Sequence, residues 1–556
     1  MKKKYLEWSK EDLISELEKL NKRKKYGLVW EENAEDVVIQ CKEEIPILTD
    51  DKNKEIFSDD NLAYNLIIEG DNYHSLCVLN YTHKEKIDII YIDPPFNTGA
   101  SDWKYNNKYV DENDQWRHSK WISFMNHRLK LAKNLLSKNG VIIIAIDDNE
   151  LGSLSLLLDE IFPEKIKNTV TIIHNPHGVS GGGFSRCHEY AIFLLNRNQI
   201  INKKKVAEDL RTINLRRSGN NSLRSDSPTM FYPIYVDKKK FKIIKVGEKP
   251  KDNFHPGKQV IEKNNLYELW PIDDKGIEKN WYYSSKRVAE KGNEELFVKK
   301  VKNQINPYFK FSNNGQQTYK SVWVDKLYDA GAYGSTLIKR ITGKNFPFPK
   351  SIYTVMDCLR AVINKENSII LDFFAGSGTT GDAVLQLNKE DKTNHKFILC
   401  TNNENNISQE ITYERIKRII NGYTDTNSKN KISGIKENLK YFKTNFFKGP
   451  VTDKNKNLLS KKITEIICMK EETFKKVSIS SNYAIFNSKI KNTIIVYNSE
   501  AIDEIKQKLK RMSGIKKIFI FSFGNDLFEE EFKNFKDVSI EPLPFAFLSS
   551  HEKITK

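Results

Sequence analysis

Residues 87–99 read IDIIYIDPPFNTG and residues 368–385 read SIILDFFAGSGTTGDAVL; each joins a β-branched apolar run to a turn whose residues forbid further strand pairing. Unbroken apolar runs of this length mark strands buried on both faces, which is the condition of a parallel sheet covered by helices on each side. Pro94 and Pro95 lack the N–H needed to continue a ladder. Gly376, Gly378 and Gly381 strip side chains from a turn leading into a helix. Outward from these two anchors, NLIIEGD (65–71), WISFMNHRLKLAKNLL (121–136), GVIIIAIDDNE (140–150) and HKFILCTNNENN (395–406) continue the alternation of strand and helix. The expected fold class is α/β, with one sheet shared by residues 61–165 and 345–425.

The segment 166–344 breaks the rhythm with HGVSGGGFSRC (177–187), LRRSGNNSLRSDSP (215–228), MFYPIYV (230–236) and WYYSSKR (281–287), and reads as an inserted module. Residues 1–60 read as an arm, a charged helix EDLISELEKLNKRKK (11–25) followed by an irregular acidic stretch with too few apolar residues for a core. Residues 426–556 hold a second small α/β pattern, with strands near YAIFNS (483–488), TIIVYN (493–498), KKIFIFS (516–522) and VSIEPLP (538–544), suited to dimerisation or partner docking. No repeat of 20–50 residues is visible.

The formal net charge of +17 on 556 residues favours a polyanionic partner, although a Lys-, Ile- and Asn-rich composition also follows from an AT-rich genome. Chemistry has to decide. The six cysteines are far apart and form no CxxC pair or zinc-ligand cluster, so a reduced chain without a metal is expected. No apolar run reaches transmembrane length and the lysines near the start lead into EDLISELEKL, so a cytoplasmic protein is expected. There is no GxxxxGK[ST] loop for nucleotide hydrolysis, no nuclease or helicase motif, and Glu504-Ile505-Lys506 lies in a charge-rich helical run.

Asp93-Pro94-Pro95-Phe96 carries the most specific chemistry. The exocyclic amine of a nucleobase is a poor nucleophile because its lone pair is delocalised into the ring. Two acceptors that hold both hydrogens out of plane localise that pair. The Asp93 carboxylate and the Pro94 carbonyl supply the two acceptors, and Phe96 offers a flat face on which a flipped base can stack. The glycine turn at 376–381 lets backbone N–H groups and a helix N-terminus approach a ligand, with Glu404 placed after the next strand to hold ribose hydroxyls. Glu69-Gly70-Asp71 ends a strand and serves equally as a plain turn or as a cofactor-amine acceptor. A nicotinamide oxidoreductase would use the glycine turn and leave Asp-Pro-Pro-Phe idle. A DNA-binding protein without catalysis would have no use for either pocket.

The order IIEGD, YIDPPFNTG, a long insertion, FPFPK, LDFFAGSGTTGDAV and FILCTNNENN resembles the β class of DNA amino-methyltransferases, and more narrowly the modification subunit of type III restriction–modification systems. KRKKYGLVWEE, RRSGNNSLRSDSPTMFYPIYV and NLKYFKTNFF extend the likeness over about four-fifths of the chain. The resemblance implies a Rossmann-like S-adenosylmethionine-dependent methyltransferase sheet with an inserted target-recognition domain and a small C-terminal α/β domain. It implies that Asp93, Pro94, Pro95 and Phe96 are catalytic and that the cofactor lies along Asp372, Phe373, Phe374, Ala375, Gly376, Ser377, Gly378 and Thr379. It also implies that Asp71 and Glu404 hold the adenosine, and that Phe346 to Lys350 close over the cofactor carboxylate. Adenine N6 as the target rests on the resemblance, since cytosine N4 would need the same acceptors. Phe96 departs from the family's usual tyrosine, which keeps the stacking face and removes a phenol hydrogen bond. Double-stranded DNA, a homodimer and a separate helicase–nuclease restriction subunit are the implied partners. Arg216, Arg217 and Arg224 in the insertion are the expected contacts to guanine edges or phosphates.

Overall fold

The computed structural model describes residues 9–11, 13–15, 30, 34–106, 108–178, 183–206, 210–301, 304–312, 314–448, 452–522 and 528–555. They form two compact units, Lys203–Thr318 and the remainder.

The larger unit is built on one ten-stranded sheet. In chain order its strands are β1 (Ile45–Asp50), β2 (Tyr64–Glu69), β3 (Ile87–Ile92), β4 (Leu136–Ile146), β5 (Ile166–Ile173), β6 (His188–Leu195), β7 (Val322–Trp323), β8 (Ile369–Asp372), β9 (Lys396–Thr401) and β10 (Asn438–Phe447). Across the sheet the order is β1-β10-β2-β9-β8-β3-β4-β6-β5-β7. From β10 to β4 every pairing is parallel, with registers such as Ile67↔Leu399, Leu371↔Ile398 and Ile90↔Ile142.

Two-residue periodicity sorts each strand between two cores. Ile90, Ile92, Ile142, Ile144 and Leu371 point to one face, where α1 (Asn72–Thr82), α2 (Arg117–Leu135) and α3 (Leu151–Ile161) lie. Ile89, Tyr91, Val141, Ile143 and Ile370 point to the other, covered by α4 (Ile352–Val362), α5 (Thr379–Asp391) and α6 (Tyr413–Asn421). The chain runs from β2 through β3 to β4 in one direction, and from β8 to β9 in the other, so winding reverses between β8 and β3. In open sheets of this kind ligands collect at that reversal, beyond the carboxyl ends of the strands.

The boundaries differ from the sequence reading in three places. β5 and β6 complete the large sheet by antiparallel pairing with β4, so the compact second unit spans Lys203–Thr318 and is narrower than 166–344. The sheet edge is closed by β1, from the expected arm, paired antiparallel to β10, from the expected C-terminal domain. IPILTD buries its first four residues, which is strand behaviour that its acidic surroundings conceal. The helix read over 11–25 lies largely outside the described residues. The C-terminal layer is a five-stranded sheet running Lys475–Ile479, Tyr483–Asn487, Lys491–Val496, Ile515–Phe521, Val538–Leu543 in spatial order. It shares a core with α1: Ile466, Ile467, Phe519 and Phe547 join Leu76 and Leu79, and α1 is buried from Tyr73 to Thr82.

The second unit holds a three-stranded antiparallel sheet (Leu210–Asn214, Gln304–Ser312, Leu296–Val301), a four-stranded one between Ile234 and Leu269, and a helix Ser285–Glu295. Trp281, fully buried, donates its indole N–H to the Tyr232 carbonyl at 2.8 Å and sits in that core. No helix among the described residues is long and apolar enough to cross a membrane.

The third glycine of the turn motif has a packing role. A Cβ at Gly381 would lie 2.8 Å from Ile416 Cδ1 and 2.9 Å from Leu399 Cδ1, so a bare backbone brings α5 against β9 and α6. We expect Gly381→Val to cost about 1–3 kcal/mol through overpacking. Urea unfolding checks this: the midpoint falls at constant slope.

Candidate active site

The strands order the expected site residues. Asp71 follows β2, Glu404 follows β9, Asp372 ends β8 and Asp93 follows β3, so four adjacent strands deliver their carboxyl ends to one crevice.

At β3 the prolines stop the ladder, and the loop they start is held by three neighbours. The indole N–H of Trp121 on α2 donates to the Pro95 carbonyl at 2.7 Å. Asn97, fully buried in the left-handed region at φ 56°, donates from Nδ2 to Glu150 Oε1 at 2.5 Å and accepts from Trp103 Nε1 at 3.0 Å. His118 Nδ1 lies 2.6 Å from the same Glu150 oxygen. The Pro95 carbonyl is thus engaged within the loop.

Asp93 is half-buried, and its Oδ1 lies 2.8 Å from Lys350 Nζ. Lys350 is 8% exposed, reaches Glu189 Oε2 at 3.3 Å, and stands 4.5 Å above the centre of the Phe96 ring. Burial pushes the Asp93 carboxyl up to about 6; Lys350 opposes the rise and Glu189 adds to it. Burial opposes the charge on Lys350, yet the two carboxylates beside it raise its pKa above the ordinary lysine value.

At β8, Asp372 shapes its own loop. Its Oδ1 accepts from the Phe374 N–H at 2.9 Å and its Oδ2 from the Thr380 hydroxyl at 2.5 Å, while burial pushes its carboxyl up to about 7. The turn continues with the Gly378 N–H on the Ala375 carbonyl at 2.7 Å and the Thr412 hydroxyl on the Gly376 carbonyl at 2.6 Å. Gly376 (φ 46°) and Gly378 (φ 75°) both occupy the left-handed region. A Cβ on Gly376 would stand 3.4 Å from Phe346 Cζ, so the gap between turn and ring is one that a side chain would fill.

Several expected ligands have other employment. Phe373 is wholly buried in the core, and its carbonyl accepts from Asn72 Nδ2 at 3.0 Å; Phe374, half-buried, is the neighbour that can face the crevice. Ser377 and Thr379 share a hydrogen bond of 2.9 Å and turn toward Arg415, whose Nη1 reaches Thr379 Oγ1 at 2.9 Å. Asp71 caps α1 by accepting from the Tyr73 N–H at 2.7 Å and lies 3.6 Å from Arg128 Nη2. Glu404 is exposed and ion-paired with Lys104. Lys350 sits on Asp93, where the resemblance implied the cofactor carboxylate.

In the second unit, Arg224 braces its own loop. It donates to the carbonyls of Phe254 (2.7 Å), Lys251 (3.2 Å) and Asp252 (3.3 Å), pairs with Glu278 at 2.9 Å and covers the Phe231 ring. Arg216 bonds the Ile272 carbonyl, and Arg217 lies 5.3 Å from the Tyr282 ring centre.

The sequence reading missed Glu189, Asn97, Glu150 and Arg415 as supporting residues. Glu189 had a visible signal, a lone carboxylate inside the apolar strand HEYAIFLL. Among the described residues no group of three or more His, Cys, Asp or Glu side chains could hold a metal ion.

A family model for DNA methylases acting on N6 and N4 amino groups matches residues 87–421. Among curated proteins, the type III restriction-modification enzyme EcoPI Mod subunit of Escherichia phage P1 is 27% identical over 448 residues, spanning 70% of this chain and 67% of that protein. Type II methyltransferase M.KpnI of Klebsiella pneumoniae is 30% identical over 376 residues, 64% of this chain and 84% of that protein. The StyLTI Mod subunit of Salmonella typhimurium is 26% identical over 420 residues, and the match covers 58% of its length.

Arg415 is fully buried with both Nε (3.0 Å) and Nη2 (2.8 Å) on Asp382 Oδ2. Arg415→Met would strand that carboxylate, and we expect a loss of about 3–5 kcal/mol. Chemical denaturation measures it; a loss under about 1 kcal/mol, the range of a surface pair, would mean Asp382 finds another partner.

Proposed function

The chain belongs to the N6/N4 DNA methylase family, and from that premise we propose that it methylates adenine N6 in double-stranded DNA with S-adenosylmethionine, as the modification subunit of a type III restriction–modification system. The observation that carries this reading is the adjacency of two sites across the winding reversal: the Asp93 loop after β3 and the Gly376 turn after β8. One seats an amine and the other seats a methyl donor.

S-adenosylmethionine supplies an electrophilic methyl group on a sulfonium. Everything else is done by the chain. The Gly376 turn, bare of side chains and in the left-handed region, lies beside the Phe346 ring on the side proposed for the methionine arm. Asp71 and Glu404, on the neighbouring strand ends, flank the adenosine side. The Asp93 carboxylate and the Pro94 carbonyl accept the two amine hydrogens and turn the nitrogen lone pair toward the donor. Because Asp93 is half-buried and Phe96 packs against the core, a base inside a duplex is out of reach, and the target has to leave the stack and lie on Phe96. Cytosine N4 is the alternative target for the same acceptors. Sequencing with modified-base detection on DNA from expressing cells separates the two.

The Lys203–Thr318 unit is proposed as the reader of sequence, with Arg216 and Arg217 as candidate contacts. A homodimer and a separate restriction subunit are proposed partners, the C-terminal layer offering a surface for either.

Two outcomes follow. Asp93→Ala abolishes methyl transfer from labelled donor and leaves cofactor affinity by calorimetry within a few-fold; comparable turnover removes Asp93 from the chemistry. Exchange of residues 203–318 for those of a relative changes the methylated sequence and keeps the methylated base, and binding weakens steeply with salt. A folded, active chimera that methylates the original sequence places recognition elsewhere.

A further inference from the structure

The cation beside Asp93 is placed unlike a cofactor clamp. Lys350 Nζ is within 2.8 Å of Asp93 Oδ1 and 3.3 Å of Glu189 Oε2, and it lies over the Phe96 face at 4.5 Å. The carboxylate that would take the amine and the ring that would take the base thus share one ammonium. We infer that Lys350, anchored by Glu189, is the positioning residue of the target site: it holds the Asp93 carboxylate ionised and aimed, and occupies the amine's place until a base displaces it toward Glu189. The inference rests on the reading of Asp93 as the amine acceptor.

Three features favour this over a purely structural ion pair. First, Glu189 gives the ammonium somewhere to go: it holds a second carboxylate oxygen when the amine takes the first. Second, a cation on an aromatic face is attracted by the ring, and a stacked base competes for the same face. Third, the acceptor has to be charged to work well. The groups around Asp93 are Lys350, Glu189 on β6, Asp372 on β8 and Tyr91 on β3. Burial and Glu189 raise its carboxyl to about 6, and Lys350 alone among them opposes the rise. An isolated buried carboxyl there would be protonated at neutral pH, with one oxygen turned from acceptor to donor.

The test is the pH dependence of kcat/KM for DNA, which reports groups of the enzyme before the base is bound, from about pH 5 to 9 at saturating S-adenosylmethionine, together with cofactor affinity by calorimetry. In the wild type the acid limb marks loss of the Asp93 charge as pH falls. Lys350→Met removes the one lowering group, so the limb moves upward by about one to three pH units, and activity is recovered at alkaline pH. Lys350→Arg keeps the charge and keeps the limb near its original place. Glu189→Gln, nearly isosteric, removes a raising charge and moves the limb downward. All three bind the cofactor within a few-fold of the wild type. An unmoved limb in Lys350→Met overturns the inference, and weakened cofactor binding beside it makes Lys350 the cofactor clamp. Should Lys350→Met fail to fold, a limb in Glu189→Gln that stays or rises overturns it equally. A wild type that binds the cofactor and never methylates DNA overturns the functional reading itself, a result distinct from the others.

Discussion

Two strands lying side by side, β8 and β3, send their chains away in opposite directions, and the rest of the molecule is arranged around the gap this leaves. A parallel sheet buried on both faces has few places where backbone and polar side chains are accessible together. At the reversal, no crossover helix covers the strand ends, so Asp93 and Asp372 can be charged or polar without opening the core. Their proximity has an electrostatic consequence: each is raised by burial, and Asp93 adds to the rise of Asp372. Only one of the two is paired with a cation. Asp372 satisfies itself with a backbone N–H and a hydroxyl, whereas Asp93 is matched to Lys350. That division leaves one carboxylate tied into its own loop and the other held by a side chain that can move.

The two anchor motifs and the helices between them were legible because their signals are local. A continuous apolar run, a Pro-Pro stop and a glycine-rich turn each report on their own few residues. The faces of the sheet followed from alternation, as Ile89 and Ile90 entering different cores illustrates. What escaped notice were pairings set by distant segments. β1 is a short strand in polar surroundings, and its reason to exist is β10, nearly 400 residues later. β6 pairs antiparallel with β4 after a Gly-rich stretch that imitates the start of an inserted module. Composition sees the stretch and cannot see the strand it serves.

Motifs in the sequence locate the candidate site, and what each side chain touches there comes only from the fold. Within Asp372–Thr379, sequence spacing cannot tell which residues face a ligand. In the turn after β8, Phe373 is buried and Phe374 half-buried, and Arg415 on α6 bonds Ser377 and Thr379. Arginines mislead in the same way. Arg224 was attractive as a donor to DNA, yet five donors in a fixed fork are equally suited to tying a loop to its own carbonyls. Asn97 shows the reverse: an ordinary turn residue by type, it is buried and joins the Asp93 loop to Glu150 and Trp103.

The strand β10, which lies between β1 and β2, bears on how the chain is made. β2 lies between β9 and β10, and β1 has no partner but β10, so the sheet remains incomplete until residues 438–447 have left the ribosome. During translation, β2 and β1 therefore wait with unpaired amide and carbonyl groups, and α1 waits for Ile466, Ile467 and Phe547 to cover its outer side. Nascent chains stopped short of that point would carry both cofactor and catalytic motifs and still present a raw sheet edge to chaperones and to one another. Both motifs, at 93–96 and 372–379, are thus translated before the strand that completes the sheet beside them.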